Sequence, residues 1–316
     1  MKERLAVKIL SMVGTMIIMS ILIFTLVELM PGDVAQIILG MNANEQSLTE
    51  MRSTMGLDRP APVRYLEWAG NAIRGDFGES LYLKGVSVSS LIVRRGFHSL
   101  ILAVAAFLLF VPLSIFLGVI AGTNERKWQD KIISTFGIIT MAMPEFVLGV
   151  FMIMIFSVKL NWFPVNSTLE IGQTIFENLK IIVLPALSIT ILMVGYVSRM
   201  QRASTVTVMN SEYIKMARLK GLPRSYVILH HALKNALIPS ITVIGMNIGW
   251  LFGGLVVVES LFSFPGIGFL VVQALKSRDI PLILASILII TFVYIFSSFI
   301  TDMLYAYLNP RIRYRS

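Results

Sequence analysis

The chain has 316 residues, of which 56% are hydrophobic and only 14% are charged. Soluble domains are about 45–50% apolar and about 25% charged, so this composition excludes an ordinary soluble enzyme. Cysteine is absent, which excludes a disulfide framework, a thiolate metal site and a cysteine nucleophile. The net charge of +9 is explained by membrane topology, because basic loops orient membrane proteins, and we predict no nucleic-acid partner.

Six apolar runs are each long enough to cross a hydrocarbon core of ~30 Å as a helix. Helices satisfy their own backbone hydrogen bonds, which lipid cannot do. The sequence therefore predicts an all-α polytopic membrane protein with six transmembrane helices. The first run is longer than a signal-peptide core and no small-residue cleavage site follows it, so we expect it to be retained. The runs cover residues 9–30, 99–122, 132–158, 181–197, 238–258 and 281–307.

The distribution of basic residues predicts the orientation of these spans. Sixteen of the 27 Lys and Arg residues fall in four segments that share one side of the membrane. The three segments on the other side are longer in total but hold the remaining eleven. Because basic residues concentrate on the cytoplasmic side, both termini are predicted to be cytoplasmic. The four inner segments are residues 1–8, 123–131, 199–237 and 308–316.

The spans divide the chain into three predicted parts: 1–30, an extracytoplasmic segment 31–98, and a five-helix core 99–316. The extracytoplasmic segment begins with Pro-Gly-Asp at 31–33, which is expected to stop the first helix. Apolar residues then recur at helical spacing and predict an amphipathic helix at the membrane surface. This helix is either a cap over the bundle or a docking shelf for an external partner. The apolar positions are Val63, Leu66, Ala69 and Ile73.

The inner segment 199–237 is too long for a simple connection between two spans. Ser211 and Glu212 predict a helix start, and Gly221 and Pro223 predict its end. On this short helix Tyr213, Met216 and Ala217 are expected to share one face. A second helical stretch is expected over 224–237, with Pro239 opening the fifth span. A segment with this much predicted order indicates that it binds something in the cytoplasm.

Two side chains inside the predicted spans are candidates for a translocation path. Glu145 follows Pro144 in the middle of the third span, where a charge costs about 2.5–3.5 kcal/mol on insertion scales. It either lines a polar path or is a protonated or hydrogen-bonded packing residue. Asn247 is the second candidate, in the fifth span. The same span carries three glycines at four-residue spacing, which favour close helix contact within one bundle or between subunits: Gly245, Gly249 and Gly253.

The sequence contains no catalytic set. It has no phosphate-binding loop of the GxxxxGK[ST] type, and no HExxH zinc motif. His230 and His231 are adjacent and point about 100° apart on a helix, so they make a poor metal-chelating pair. We therefore predict no metal site and no cofactor on this chain. Any uphill transport needs an ion gradient or another subunit.

Several motifs together carry a resemblance to a known family. Residues 212–221 (EYIKMARLKG) and 231–239 (HALKNALIP) resemble the EAA loop of ABC importer permeases, in the form typical of the dipeptide, oligopeptide and nickel branch. Four other segments and the end of the chain are similar to the same branch, and the end resembles the first of its two permease paralogues. These are 29–33 (LMPGD), 56–60 (GLDRP), 75–80 (GDFGES), 259–268 (ESLFSFPGIG) with 278–281 (RDIP), and 309–314 (NPRIRY).

The resemblance implies a type I ABC importer permease in a bacterial or archaeal cytoplasmic membrane. Such a chain pairs with a second permease, while two ATPase subunits that hold ATP and Mg²⁺ dock on the EAA loops. An extracytoplasmic binding protein delivers the substrate, here peptides or a related small solute. Glu145 stands where this branch often has an uncharged residue after the proline. The ATPase-coupling residues carried over by position are Glu212, Tyr213 (where the generic motif has alanine), Ala217, Arg218, Lys220 and Gly221.

Two other functions remain open from the sequence. A stand-alone secondary transporter or channel predicts transport by the purified chain without ATP, with coupling groups at broken helices. A membrane scaffold predicts a loop that anchors a soluble partner without any substrate-dependent turnover.

Overall fold

A computed structural model describes residues 2–30, 34–39, 43–54, 56–83, 85–169, 175 and 178–308. The predicted helix stop at 31–33 and the terminal motif at 309–314 lie outside these residues. The described backbone is almost entirely helical. Its helices are α1 (Lys2–Glu28), α2 (Val34–Leu39), α3 (Glu45–Thr54), α4 (Ala61–Ile73), α5 (Val88–Thr123), α6 (Trp128–Ala142), α7 (Glu145–Met152), α8 (Lys180–Met209), α9 (Glu212–Leu219), α10 (Arg224–Tyr226), α11 (Leu233–Phe262), α12 (Ile267–Ser277) and α13 (Ile280–Leu308).

Two π-helical stretches extend this set. Ile153–Lys159 continues α7, and Val227–Ala232 joins α10 to α11. In the described part of the chain, five helices are long and apolar enough to cross a membrane. Two more helix pairs pass the same test but are broken: α6 with α7, which are bent by 109°, and the end of α11 with α12. Counting each pair as one span gives up to seven, so the prediction of an all-helical, multi-span protein is confirmed.

Three predicted boundaries differ from those of the helices. The third span is not one helix, because it breaks at Met143–Pro144, where proline cannot donate to the preceding turn. The helix of the fourth span does not end with the apolar run at 197, because α8 continues to Met209. Pro239 does not open a new helix but lies inside α11. Membrane helices tolerate such a proline because neighbouring groups satisfy the backbone that it frees.

The contacts divide the chain into two units, and the three parts predicted from the sequence stay a prediction. One unit comprises residues 1–99 with 265–296, and the other comprises 100–264 with 297–316. In the first unit, α4 packs on α1 through an ion pair between Arg64 and Glu28 and a 2.8 Å hydrogen bond between Ser20 and Tyr65. The predicted amphipathic helix is therefore present, and three of its four predicted apolar residues, Val63, Leu66 and Ile73, are exposed.

The second unit is organised around α8, which packs against α6, α7 and α11. Its apolar core includes the fully buried rings of Phe110, Phe262 and Phe264. Glycines allow the helices to approach closely, because a Cβ atom at Gly118 would lie 2.5 Å from Cβ of Gln201. Large apolar side chains elsewhere stay exposed, which suits a surface covered by lipid rather than water.

Candidate functional site

The short helix α9 lies between the two long helices α8 and α11, as the sequence predicted. Ser211 occupies the N-cap position, but its hydroxyl donates back to the Val208 carbonyl at 2.6 Å and makes no side-chain cap. Gly221 has φ +79°, the left-handed conformation that favours glycine, and Pro223 follows it. The predicted helix stop at Gly221 is confirmed by this geometry.

One side of α9 is packed into a small apolar cluster. Ile214 is fully buried and Ala217 is 7% exposed. They pack with Met209 at the end of α8 and with Val227 and Ala232 in the π-helical stretch before α11. Because these contacts come from both sides of α9 in the chain, they fix the orientation of α9 on its neighbours.

The other side of α9 is exposed. Tyr213 and Met216 are 43% and 55% exposed, so the face that they share with Ala217 by helical spacing is not the packed face of α9. The true inward positions are 214 and 217, three residues apart as helix geometry requires. Leu219 is 80% exposed and was not singled out from the sequence. Its exposure could only be found once the inward face was known.

Five of the six predicted coupling residues lie on this exposed side, and Ala217 is the buried exception. Glu212 and Lys215 form a surface ion pair at 2.7 Å. The Tyr213 hydroxyl accepts a hydrogen bond of 2.8 Å from the side-chain amide of Asn235. The exposed predicted residues are Glu212, Tyr213, Arg218, Lys220 and Gly221.

Two arginines bind the helix ends that flank the α5–α6 connection, and sequence reasoning missed both. Arg202 on α8 forms a two-point ion pair with Asp130, in which Nη2 donates to Oδ2 at 2.7 Å. Arg224 on α10 donates to the backbone carbonyl of Thr123 at 2.5 Å. The spacing of these residues along the chain does not indicate either contact.

Glu145 lies at the helix break rather than within a continuous span. It is the first residue of α7, directly after the 109° bend. Its half-buried side chain lines a small cavity, and within the described residues it has no hydrogen bond or ion pair. The carboxylate approaches Gly254 so closely that a Cβ atom there would lie 3.1 Å from Oε2. The other lining residues are apolar: Ile189, Leu192, Leu251 and Val258.

The other predicted membrane residues on α11 are partly engaged within the chain. Asn247 is half-buried and donates to the Val243 carbonyl of its own helix at 2.7 Å. The Gly245 carbonyl accepts a hydrogen bond of 2.7 Å from the Thr301 hydroxyl, which shows close packing at that glycine. Gly249 is buried, whereas a Cβ atom at Gly253 would meet nothing within 4 Å.

These observations define a class of protein. It is a polytopic helical membrane subunit that holds a short helix rigidly on one side and exposes it on the other, and its sequence carries no nucleotide-binding motif. Residues 114–314 match the family model for the binding-protein-dependent transport system inner membrane component. Residues 1–81 match the model for the N-terminal part of such components. The chain belongs to this family of ABC importer permeases.

Curated relatives are similar to this chain over nearly its whole length. It is 34% identical over 307 residues to the probable peptide ABC transporter permease protein y4tP of Sinorhizobium fredii, covering 97% of this chain and 98% of that protein. It is also 34% identical to the glutathione transport system permease protein GsiC of Escherichia coli K12, covering 98% of each. The chain is accordingly a multi-pass inner-membrane permease subunit and is not itself an ATPase, because partner subunits bind the ATP.

A solved structure shows the same fold. The crystal structure of an amino acid ABC transporter with histidines matches with a TM-score of 0.53, covering 69% of this chain and 94% of that one. Sequence identity is 13%, so this similarity concerns the fold alone.

Proposed function

We propose that this chain pairs with a second, similar permease to form the path by which an importer moves peptides or a related small solute inward. Two cytoplasmic ATPase subunits bind the α9 segments of the two permeases, and an extracytoplasmic binding protein delivers the solute. Closure of the ATPases on ATP moves α9 and the long helices joined to it, so that access alternates across the membrane. The observation that carries this proposal is α9 itself, which is anchored on one side and exposed on the other.

A six-span topology with both termini in the cytoplasm fits the contacts best. Its spans are α1, α5, the bent pair α6–α7, α8, α11 and α13. This topology places the α5–α6 connection and α9 on the same side of the membrane. The contacts from Arg202 to Asp130 and from Arg224 to Thr123 support that placement, because they join the two regions directly.

The exposed face of α9 is the proposed ATPase contact. Tyr213, Met216 and Leu219 offer apolar area, which drives association. Charged groups at the rim add specificity more than affinity. We assign Glu212, Arg218 and Lys220 to that rim, and Gly221 to the turn that fixes the angle of α9.

The proposed translocation path passes Glu145 and Asn247. An intramembrane carboxylate is costly unless it faces protein or a water-filled path, and Glu145 has apolar protein on one side and remains half-exposed on the other. Gly245 and Gly249 serve helix packing within the bundle, and the open surface at Gly253 is available for the second permease.

The substrate class follows from the relatives. Their names specify peptide and glutathione transport, and glutathione is itself a tripeptide. In this type of importer the binding protein does much of the selecting, so the solute is tested on the whole assembly.

The experiment is ATP-driven uptake. The assembly is purified from membranes through a tag on this chain, reconstituted in liposomes with its binding protein, and given a labelled tripeptide. We expect uptake that requires both ATP and the binding protein. The position of Glu145 at a broken helix favours a second candidate, a stand-alone secondary transporter. Uptake by the purified chain alone, without ATP, would establish that alternative and contradict the importer.

A further inference from the structure

The connection between α5 and α6 is held from both sides of α9. Arg202 lies on α8, which precedes α9, and Arg224 lies on α10, which follows it. The two guanidinium groups bind the helix ends that flank this connection: Arg202 binds Asp130 in the first turn of α6, and Arg224 binds the carbonyl of Thr123, the last residue of α5. Any displacement of α9 relative to the rest of the protein therefore pulls on this connection through two separate contacts.

The surroundings of Asp130 keep its contact with Arg202 in one geometry. Its side chain is nearly buried, and the residue is 3% exposed. Besides the two bonds from Arg202, it accepts hydrogen bonds from the Arg126 backbone N–H at 2.8 Å and from the Ser134 hydroxyl at 3.0 Å. A two-point guanidinium–carboxylate pair fixes both distance and orientation, which an apolar contact in the same place does not.

The pairing of α6 with α8 continues from this ion pair toward the bend. A Cβ atom at Gly137 would lie 3.1 Å from the Gly195 carbonyl oxygen. One at Gly195 would lie 2.1 Å from the Thr140 hydroxyl oxygen. The two helices are thus in close contact from Gly137 to Thr140, near the end of α6 at Ala142. The bend that places Glu145 at the start of α7 comes immediately after.

We propose that Asp130 and Arg202 are positioning residues that carry the movement of α9 into α6, and so to the Pro144 bend. This inference rests on the proposed function and adds to it a transmission route. The turn 124–127 and the last turns of α8 move as one body with α9. The buried ion pair keeps α6 in register with α8 while the ATPases close, and the bend converts that movement into a change around Glu145.

The first test measures uptake per ATP hydrolysed in the reconstituted assembly. We expect Asp130→Asn to lower this ratio by about tenfold, a size typical of coupling between sites, while ATP hydrolysis continues. The charge-swapped pair Asp130→Arg with Arg202→Asp is expected to recover part of the ratio. Glu125→Gln is the matched control, because this acid is exposed in the same connection. An unchanged ratio in Asp130→Asn would overturn the inference.

The second test is independent of uptake and covers the case in which Asp130→Asn does not fold. The chain has no native cysteine, so spin labels can be attached to Lys127→Cys and Asn210→Cys, both exposed. With the ion pair intact, the distance between these labels is expected to be the same in the nucleotide-free and ATP-bound assembly. A distance that changes with ATP would overturn the inference. Failure of the wild-type assembly to take up solute would contradict the proposed function alone.

Discussion

Ser80 and Asp279, 199 residues apart in the sequence, are joined by a buried hydrogen bond of 2.5 Å from the Ser80 hydroxyl to Asp279 Oδ2. The same carboxylate accepts bonds of 3.2 Å from the backbone N–H groups of Tyr82 and Leu282. Because Leu282 is in the first turn of α13, Asp279 both caps that helix and anchors the segment after α4.

Replacing this carboxylate should therefore destabilise the first unit. We expect Asp279→Ala to lower the stability by about 1–3 kcal/mol, because it leaves buried donors unpaired. Thermal unfolding in detergent measures the loss, and limited proteolysis between residues 74 and 88 reports whether the segment is released. Asp58→Ala, at an exposed acid that precedes α4, is the control. Equal melting temperatures for the two variants would show that this hydrogen bond does not contribute to stability.

Close packing at Gly195 leads to a second prediction. A methyl group there would meet the Thr140 hydroxyl oxygen at 2.1 Å, so Gly195→Ala must displace the Thr140 side chain or push α6 away from α8. Overpacking of this kind costs about 1–3 kcal/mol. Gly96→Ala is the matched control, because a Cβ atom at Gly96 meets nothing within 4 Å. If the melting temperatures of the two variants in detergent coincide, the contact between α6 and α8 is looser than the structure shows.

The path assignment of Glu145 can be tested by thiol labelling. Thiols react as thiolates, which form in water and not in lipid. A cysteine at 145 is therefore expected to react with a membrane-impermeant reagent, at a rate that changes when ATP is added. Phe146→Cys is the control, because Phe146 is the neighbouring residue and its exposed surface (56%) is expected to face lipid. If both cysteines are equally protected from the reagent, Glu145 is a packing residue.

The left-handed turn after α9 predicts a graded series at Gly221. Its φ of +79° is strained for most side chains and is tolerated best by asparagine and aspartate, of which only aspartate also adds a negative charge beside the proposed contact surface. Gly221→Asp is expected to abolish uptake and to leave ATP hydrolysis uncoupled, while the protein still inserts into the membrane. Gly221→Asn should retain much more uptake. Wild-type uptake by Gly221→Asp would remove this turn from the coupling machinery.

The sequence predicted the helical class and the position of α9 well, because both depend on local signals. Long apolar runs report lipid burial directly, and Gly221 with Pro223 ends a helix whatever surrounds it. The inward face of α9 could not be read in the same way. Tyr213, Met216 and Ala217 are all apolar enough to be buried, and only the packing against α8 selects Ala217.

Contacts between distant parts of the chain could not be predicted from the sequence. Asp130 and Arg202 look like ordinary inner-loop charges, and nothing local shows that they pair. The break after Met143 was also missed, although Pro144 is visible. A membrane helix can absorb a proline, as α11 does at Pro239, so the residue alone does not distinguish a bend of 109° from a continuous helix.

The most direct measurement is photo-crosslinking from Leu219, the most exposed apolar side chain of α9. A photoreactive amino acid is placed at 219 in the full assembly, and the same amino acid at the buried position 214 is the control. The account predicts a crosslink from 219 to an ATPase subunit and none from 214. Crosslinks from 219 to lipid only, in an assembly that still takes up solute with ATP, would contradict it.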